Sequence, residues 1–487
     1  MVSARFLAWA FVTITTLACV AYLERERATV TSDVIHTSFG DLTVLNAEAA
    51  QNEGPLVLLA HGFAGSRQMM QYIARDLARA GATAAMFDFY GHGRNDVLLS
   101  PEVTRIDGTT ADLVSQSRTM IEVLRDTYSR EAPISLIGHS MATDVMIRTA
   151  QNVENVDRVV TISMYSDAVS SVFPEKLLMI SGEWENRLRA VALDRLGQLT
   201  ETAKEGVTVR AGGLERRAVA IPNTEHVAVL FARATRVEIR SWLGLDAGRE
   251  FRWIGPALVA VFAGIIVLCY PLFTILPAQL PKAQVPLTLW QTGFAILVPT
   301  AAAIAIGVGL QGALLGVAGL AGVFGFFAAY GGVGLIALTW AGRRISKPSF
   351  IAVVLFLLWG VIVFAFVLDR YGASFAVSGV RAVLFLALLV VCIPFMIADR
   401  LIVAQAPVWI RIAARLAVLT GLTLCAFLAP QSWGLVFTVV PVMLLFYLVY
   451  GTMGHVLAGR VGATTAGIGQ GIVLAWAVAA STPLFAG

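Results

Sequence analysis

The 487-residue sequence is poor in charge, because Asp, Glu, Lys and Arg make up only 14% of it, against roughly 25% in soluble domains. The net charge is only +4 and no tract is rich in Lys or Arg, so we predict no nucleic-acid partner. Cysteine is also scarce: all four fall in apolar segments, without metal-ligand spacing, at Cys19, Cys269, Cys392 and Cys425. This distribution excludes a disulfide framework and a cysteine-based metal site.

Long apolar runs are abundant in one part of the chain. From about residue 253 onwards, runs of about 20 residues follow one another, each long enough to cross a hydrocarbon core of about 30 Å. We therefore predict a signal anchor at 1–27, an α/β domain at 28–248 and an all-α transmembrane domain of about eight spans at 249–487. The predicted spans are 253–277, 288–309, 315–341, 349–368, 382–398, 410–429, 435–456 and 464–485.

The N-terminal apolar segment extends from Phe6 to Leu23. No small-x-small cleavage site follows it, which favours a retained anchor over a cleaved signal peptide. Residues 16–19, with the sequence TLAC, loosely resemble a lipoprotein cleavage box, although threonine fits its first position poorly. With the anchor, the predicted number of spans is nine.

Basic residues in the short loops predict the orientation in the cell (inner) membrane. With a cytoplasmic N-terminus, the inner loops carry Lys282, Arg343, Arg344, Lys347, Arg400, Arg411 and Arg460, and the outer loops only Arg370 and Arg381. Because positive charge accumulates in cytoplasmic loops, the α/β domain is predicted to be extracytoplasmic. Within the spans, Arg415 is the one clearly internal basic residue, and Asp369, Asp399 and His455 lie at predicted ends. This is weak support for an ion path.

Between residues 28 and 245, short apolar strands alternate with amphipathic helices, which predicts a mostly parallel sheet covered by helices. One predicted strand, at 133–137, runs into Gly138-His139-Ser140-Met141-Ala142, and a helix follows at once. A tight strand-to-helix turn projects a serine hydroxyl towards a base, while the helix N-terminus supplies N–H groups for an oxyanion. Ser140 is therefore the candidate nucleophile, with Ala142 at a position where glycine is usual.

The motifs His61-Gly62-Phe63 and Asp88-x-x-Gly-His-Gly-Arg94, together with this turn, resemble the α/β-hydrolase superfamily over about residues 40–245. The resemblance implies that the N–H groups of Phe63 and Met141 bind the oxyanion. It also implies a base that follows both the serine and the acid along the chain. Of the six histidines, this order leaves His226 and His455, and His226 follows a predicted strand and a polar turn as the family pattern expects.

The acid has three candidates. Glu185 lies three residues after Gly182 at a strand end, where the family commonly has a carboxylate, although Asp is commoner there than Glu. Glu183 is its nearest competitor, and Asp167 occupies an alternative acid position after the preceding strand. Glu185 is preferred, and the others stay open.

Only about ten residues separate Tyr165 from Lys176, which leaves no room for the helical cap of many relatives. These features predict a membrane-embedded serine hydrolase of carboxylic esters or thioesters, with acyl lipids among its candidate substrates and no metal or cofactor. The same triad would serve a serine peptidase or an acyltransferase. A third hypothesis is a non-catalytic ligand sensor or transport protein. Membrane lipid is an expected partner.

Overall fold

A computed structural model describes residues 4–47, 54–128, 131–245, 250–278 and 286–487. The chain divides into two compact units. The sheet unit consists of Leu17–Val261 and Arg370–Ser374, and the helical unit consists of Met1–Thr16, Phe262–Asp369 and Phe375–Gly487. The predicted domain boundary between residues 248 and 249 lies outside the described residues and stays a prediction.

Nine strands of the described chain form one sheet in the order β1-β2-β4-β3-β5-β6-β7-β9-β8. Strands β4, β3, β5, β6, β7 and β9 are parallel to one another, whereas β1, β2 and β8 pair antiparallel at the two edges. The predicted mostly parallel sheet is confirmed. The strands are β1 (Val30–Ile35), β2 (Leu42–Ala47), β3 (Leu56–Ala60), β4 (Thr83–Phe87), β5 (Ile134–His139), β6 (Val156–Ile162), β7 (Lys176–Gly182), β8 (Thr208–Ala211) and β9 (Leu214–Ile221).

Central strands such as β3 and β4 are buried along their whole length. Parallel strands covered on both faces read as continuous apolar runs, which is why their positions could be predicted closely. The edge strand β1, with the sequence VTSDVI, is mostly exposed and has no apolar run to identify it. The exposed edge strand β1 was therefore not predicted from the sequence.

Five helices flank the sheet: α2 (Arg67–Arg79), α3 (Ala111–Thr127), α4 (Met141–Gln151), α5 (Asn186–Gly197) and α6 (Arg233–Leu243). On α2, Met70, Ile73 and Leu77 repeat at helical spacing and are buried in the core beneath the sheet. A π-helical turn at Ile106–Thr110 precedes α3, and a 3₁₀ turn at Ala228–Phe231 precedes α6. The connection 163–175 between β6 and β7, all of it described, contains no helix.

Nine helices among the described residues are long and apolar enough to cross a membrane. The chain is therefore a multi-pass membrane protein, and the number of these helices equals the predicted number of spans. The spans are α1 (Ala4–Arg27), α7 (Ile254–Thr274), α8 (Leu289–Gly309), α9 (Leu320–Trp340), Phe350–Tyr371, α12 (Gly379–Val403), α13 (Val408–Leu428), α15 (Val439–Val461) and α16 (Ala463–Ser481). Phe350–Tyr371 comprises α10 (Phe350–Leu357), a π-helical stretch and α11 (Phe366–Tyr371), and a short α14 (Pro430–Trp433) precedes α15. Lys282, used in the orientation prediction, lies outside the described residues.

Close helix contacts in the helical unit depend on small residues. A Cβ at Gly471 of α16 would lie 2.5 Å from Cα of Ile393 on α12. Gly467, one turn earlier, makes the same kind of approach, with a Cβ position 2.7 Å from Cα of Ile397. Such spacing lets two helix backbones approach closely in a membrane, where dispersion contacts replace the hydrophobic effect between helices.

The segment Arg370–Ser374, between two spans, belongs to the sheet unit. Its Ser374 N–H donates to Oγ of Ser66 at 2.8 Å, and the hydroxyl of Tyr72 donates to its Tyr371 carbonyl at 2.9 Å. These bonds require the segment and α2 to lie on one side of the membrane. Four spans separate them along the chain, an even number, so the span count and these contacts agree.

Candidate active site

Ser140 stands at the junction of β5 and α4 with a backbone φ of 53° and ψ of −117°. A non-glycine residue at positive φ is uncommon and, when the surroundings hold it there, marks a candidate functional position. The Ser140 N–H donates to the carbonyl of Ile162 at 2.9 Å, which fixes the turn. A Cβ at Gly138 would lie 2.4 Å from the carbonyl oxygen of Ala142, so only glycine fits there. Ala142 itself is fully buried, and the turn accommodates its methyl group.

Three side chains from separate loops form a chain of hydrogen bonds at the carboxyl end of the sheet. Oγ of Ser140 lies 2.9 Å from Nε2 of His226, and Nδ1 of His226 lies 2.6 Å from Oε1 of Glu185. An ionised carboxylate can only accept, which assigns the imidazole proton to Nδ1. Nε2 then carries the lone pair and faces the serine hydroxyl.

Glu185 has a second set of donors on its other oxygen. Oε2 accepts from the Gly182 N–H at 2.6 Å and from the Ser163 hydroxyl at 2.7 Å. Burial raises the pKa of the Glu185 carboxyl, but the hydrogen bonds from His226, Gly182 and Ser163 outweigh burial and bring its pKa below the ordinary value. The carboxylate is therefore ionised at neutral pH.

The loops that carry the acid and the base are tied together by main-chain bonds. Glu183 N–H donates to the Ile221 carbonyl at 2.9 Å, and Trp184 N–H donates to the Thr224 carbonyl at 3.1 Å. The loop after β7 is thereby joined to the loop after β9. Because parallel strands end at the same edge of the sheet, Glu185 and His226 become neighbours although they are 41 positions apart in the chain.

His139 connects the elbow to the base. Its Nε2–H donates to the main-chain carbonyl of His226 at 2.9 Å. Burial lowers the pKa of His139 to about 4, so the ring is neutral at physiological pH. A neutral ring with its proton on Nε2 fixes the His226 backbone without adding a charge beside it.

The two alternative acids lie elsewhere. The Asp167 side chain is 84% exposed, and its carboxylate lies 3.8 Å from Arg195. The Glu183 carboxylate accepts from the Asn223 N–H at 2.7 Å. Of the three predicted candidates, Glu185 is the one within hydrogen-bond distance of His226. The catalytic roles of these three carboxylates stay predictions.

Phe63 and Met141 occupy the two segments expected to form the oxyanion hole. Phe63 lies in the loop between β3 and α2, and Met141 is the first residue of α4. The neighbouring His61 donates from Nδ1 to the Gly62 carbonyl at 2.8 Å and accepts the Phe89 N–H on Nε2 at 3.1 Å. Burial lowers the pKa of His61, which keeps it neutral in this role.

The turn after β4 supports the same loop. Asp88 accepts from the Arg67 N–H at 2.7 Å and from the Arg94 N–H at 3.1 Å. Its carboxylate therefore joins the start of α2 to the turn that ends with Arg94. Asp88 thus links the start of α2, which follows the first sequence motif, to the turn that forms the second motif.

Large apolar side chains are exposed beside the catalytic loops. Trp184, next to the acid, is 64% exposed, and Val227, next to the base, is 40% exposed. Tyr165, whose N–H donates to Oγ1 of Thr143 near the elbow, is 58% exposed. These three side chains offer apolar surface to solvent near Ser140, Glu185 and His226 in sequence or through a hydrogen bond. Among the described residues, no group of three or more His, Cys, Asp or Glu side chains is arranged to hold a metal ion.

Two residues that contribute hydrogen bonds to this site were not predicted from the sequence. Ser163 is a polar residue at the end of the buried strand β6, with φ of 58°, and this position is the signal that would have identified it. His139 was recognised only as part of the elbow motif. Its bond to the His226 carbonyl depends on a contact 87 residues away, which no local pattern reveals.

Residues 55–225 match the model of the alpha/beta hydrolase fold family. The predicted fold class, an α/β-hydrolase domain followed by an all-α membrane region, is confirmed. No curated protein matches the chain. Similar solved structures include dienelactone hydrolase from Anabaena variabilis ATCC 29413, with 20% identity, 44% of this chain and 98% of that chain covered, and a TM-score of 0.34. Carboxylesterase CesB (YbfK) from Bacillus subtilis has 15% identity, 47% and 98% coverage, and a TM-score of 0.30.

Proposed function

We propose that this multi-pass membrane protein, whose residues 55–225 carry an alpha/beta hydrolase fold, is a serine hydrolase of carboxylic esters or thioesters. The observation that carries the proposal is the hydrogen-bonded chain from Ser140 through His226 to Glu185. In this arrangement a base, an orienting acid and a strained serine stand in contact, which is the arrangement needed to activate a hydroxyl.

The chemistry follows from the positions of the protons. Oγ of Ser140 attacks the acyl carbon while Nε2 of His226 takes the hydroxyl proton, and Glu185 stabilises the resulting imidazolium. The N–H groups of Phe63 and Met141 would stabilise the oxyanion. His226 then protonates the leaving alkoxide or thiolate. Water, deprotonated by His226, attacks the acyl-enzyme and releases the acid and free Ser140.

The exposed apolar residues favour a substrate with an apolar acyl chain. Trp184 and Val227 are each one position from a triad candidate, Trp184 before the acid and Val227 after the base, and the Tyr165 N–H donates to Thr143 of α4. Each of the three side chains offers apolar surface to solvent. Burying such surface against a hydrocarbon chain stabilises a complex by roughly 25 cal/mol per Å². The short connection 163–175 leaves these side chains without a helical cap. Acyl lipids are the corresponding substrate class.

The distribution of Lys and Arg in the loops supports the cell (inner) membrane, with the hydrolase active site outside the cytoplasm. Reporter fusions after Arg344 and after Gln431 test this orientation, and they are expected on opposite sides. Both fusions on one side would contradict it.

Fluorophosphonate labelling of the full-length protein tests the function. Labelling is expected in the wild type and in Ser115→Ala, a surface serine of α3 that serves as the matched control. It should be absent in Ser140→Ala. A folded wild type that does not label would contradict a serine hydrolase and favour a ligand-binding role.

A substrate panel then tests the bond that is cleaved. Short- and long-chain p-nitrophenyl esters, an acyl thioester and a peptide amide are compared, with and without an added alcohol acceptor. Hydrolysis of the esters or thioester that depends on Ser140 supports the proposal. Cleavage of the amide alone, or acyl transfer to the alcohol without hydrolysis, would replace it with a peptidase or an acyltransferase.

A further inference from the structure

A cavity of about 180 Å³ in the helical unit, here called the basic cavity, lies between α13 and α15. Its lining residues are Arg411, Arg415, Tyr447, Gly451, Thr452 and His455. Pockets that enclose a whole drug-sized ligand span roughly 300–1,000 Å³. The basic cavity is therefore of a size for a small polar group rather than for an entire acyl substrate.

Two arginines on one face of α13 supply its charge. Arg411 and Arg415 are four residues apart, so their side chains neighbour each other, and like charges at this spacing destabilise a helix. The guanidinium of Arg415 lies over the ring of Tyr447, 5.2 Å from its centroid. Nη1 of Arg411 lies 3.2 Å from Nε2 of His455. In the part of the chain that the structure describes, neither arginine forms an ion pair with a carboxylate.

Both arginines have a buried donor without an acceptor. Nε of Arg411 and Nε of Arg415 are both buried and have no acceptor in the protein. The Nη groups differ from those of other buried arginines: Nη1 of Arg381 donates to the carbonyls of Ala479 and Thr482, both at 2.8 Å, and Nη2 of Arg400 donates to the Gly451 carbonyl at 3.0 Å. Among the described residues, no carbonyl or carboxylate accepts from the Nη groups of Arg411 or Arg415. A buried charged N–H without an acceptor is costly, and a bound ion is one physical reason for such a group to persist.

The surrounding charges favour an anion. Arg400, Arg411 and Arg415 contribute three positive charges to this part of the unit. One carboxylate lies nearby: Oδ1 of Asp399, which is 3.5 Å from the Tyr447 hydroxyl. Three positive charges and one negative charge leave a formal excess of two. In a medium of low dielectric constant this excess attracts an anion strongly.

The depth of the cavity fits a phosphate at the membrane surface. Arg411 and Arg415 follow Val408, the first residue of α13, by three and seven residues. At 1.5 Å per residue they lie about 5 Å and about 10 Å along the helix axis. The exposed His455 and Thr452 leave the cavity accessible from its α15 side. The basic-residue distribution predicts that this face is cytoplasmic, where anionic headgroups contact basic pockets between helices.

We propose that the basic cavity binds a phosphate group, with Arg411 and Arg415 as its bidentate donors. The planar guanidinium group matches the geometry of phosphate oxygens, because two of its N–H groups point the same way like a fork. Each of these forks includes one of the unpartnered Nε–H groups. Thr452 and His455 lie at the accessible edge. The phosphate belongs either to an anionic phospholipid headgroup or to a soluble phosphate ester.

Thermal unfolding of the full-length protein in phosphatidylcholine nanodiscs tests the proposal. Three probes are titrated in phosphate-free buffer: phosphatidylglycerol included in the disc, inorganic phosphate, and glycerol 3-phosphate. Binding to the folded state raises the Tm. A response to phosphatidylglycerol alone identifies a lipid headgroup, and a response to a soluble probe identifies a free phosphate compound. Either result supports the site, provided that it depends on the two arginines.

Arg411→Gln/Arg415→Gln should weaken the response at least about tenfold, because two charge-assisted forks are lost. The matched control is Arg344→Gln/Lys347→Gln, which removes two positive charges from the loop on the same membrane face. Arg411→Lys/Arg415→Lys keeps the charge but not the forks, and it replaces the glutamine pair if that pair does not fold. No response in the wild type would overturn the proposal, as would equal loss in the control or full retention with lysine.

Discussion

Two groups of buried polar side chains, one in the sheet unit and one in the helical unit, have different acceptors. In the sheet unit, side chains bond to side chains: Ser163 and His226 both meet Glu185. In the helical unit, the buried Arg381 donates to main-chain carbonyls. Since a hydrocarbon core offers no water, each buried charge there needs an acceptor within the protein. The candidate site of the sheet unit therefore consists of side chains in mutual contact, whereas at Arg415 of the helical unit the buried Nε–H has no acceptor in the protein.

The largest expected effect comes from Glu185→Gln. Oε2 of Glu185 accepts from Gly182 and Ser163, so an amide places its oxygen there and turns its NH₂ towards Nδ1 of His226. The imidazole proton then moves to Nε2, and a protonated Nε2 cannot accept the hydroxyl proton of Ser140. We expect kcat/KM for an ester to fall about 10³- to 10⁴-fold, as for other triads with the wrong tautomer.

Asp167→Asn and Glu183→Gln are the matched controls, and both should keep wild-type kcat/KM because neither carboxylate contacts His226. Each variant is also compared for its Tm, which separates a catalytic loss from misfolding. A large loss in Asp167→Asn with normal activity in Glu185→Gln would assign the acid to the other loop.

An intermediate effect is expected from a pair of arginines in the helical unit. Arg381→Gln leaves the Ala479 and Thr482 carbonyls without their buried donor, which should cost about 3 kcal/mol. Arg415→Gln removes a charge that has no acceptor, so it should cost much less. The Tm of both variants is measured in phosphatidylcholine nanodiscs without phosphate. Equal destabilisation would show that Arg415 has the same structural role as Arg381. The missing acceptor would then not mark Arg415 as part of a candidate site.

The smallest effect concerns acid sensitivity. The pKa of His139 is about 4 in the folded protein and about 6.5 when unfolded. Between these values the unfolded chain binds a proton that the folded chain does not, so stability falls as the pH decreases. Between pH 7 and pH 4.5 the stability lost through His139 is about 2 kcal/mol.

His139→Gln should reduce the decrease in Tm between pH 7 and pH 4.5, while its amide can still donate to the His226 carbonyl. The lowered pKa of Glu185 acts in the same direction, with stability lost as pH falls through the folded pKa. Because both proteins retain Glu185, the difference between them isolates His139. An identical acid response in the two proteins would refute its contribution.

Prediction from sequence succeeded where the pattern is local. The buried strand β5 was predicted at 133–137 and lies at Ile134–His139, and the spans were predicted within several residues of their observed bounds. It failed at the exposed edge strand β1, which resembles a polar loop. The positions of Ser140 and His226 followed from motif and order, but three carboxylates remained because their distances to His226 depend on how the loops after β6, β7 and β9 fold.

The sequence by itself determined the apolar spans and the position of the elbow. Apolar run length specifies a span, because the hydrocarbon thickness is constant, and a glycine-flanked serine between a buried strand and a helix is a local structure. Only the tertiary structure decided which carboxylate contacts His226, that Ser163 and His139 support the site, and that Arg411 and Arg415 share a cavity with His455. The physical reason is that each of these contacts joins residues from different segments, and their distances are set by packing rather than by spacing along the chain.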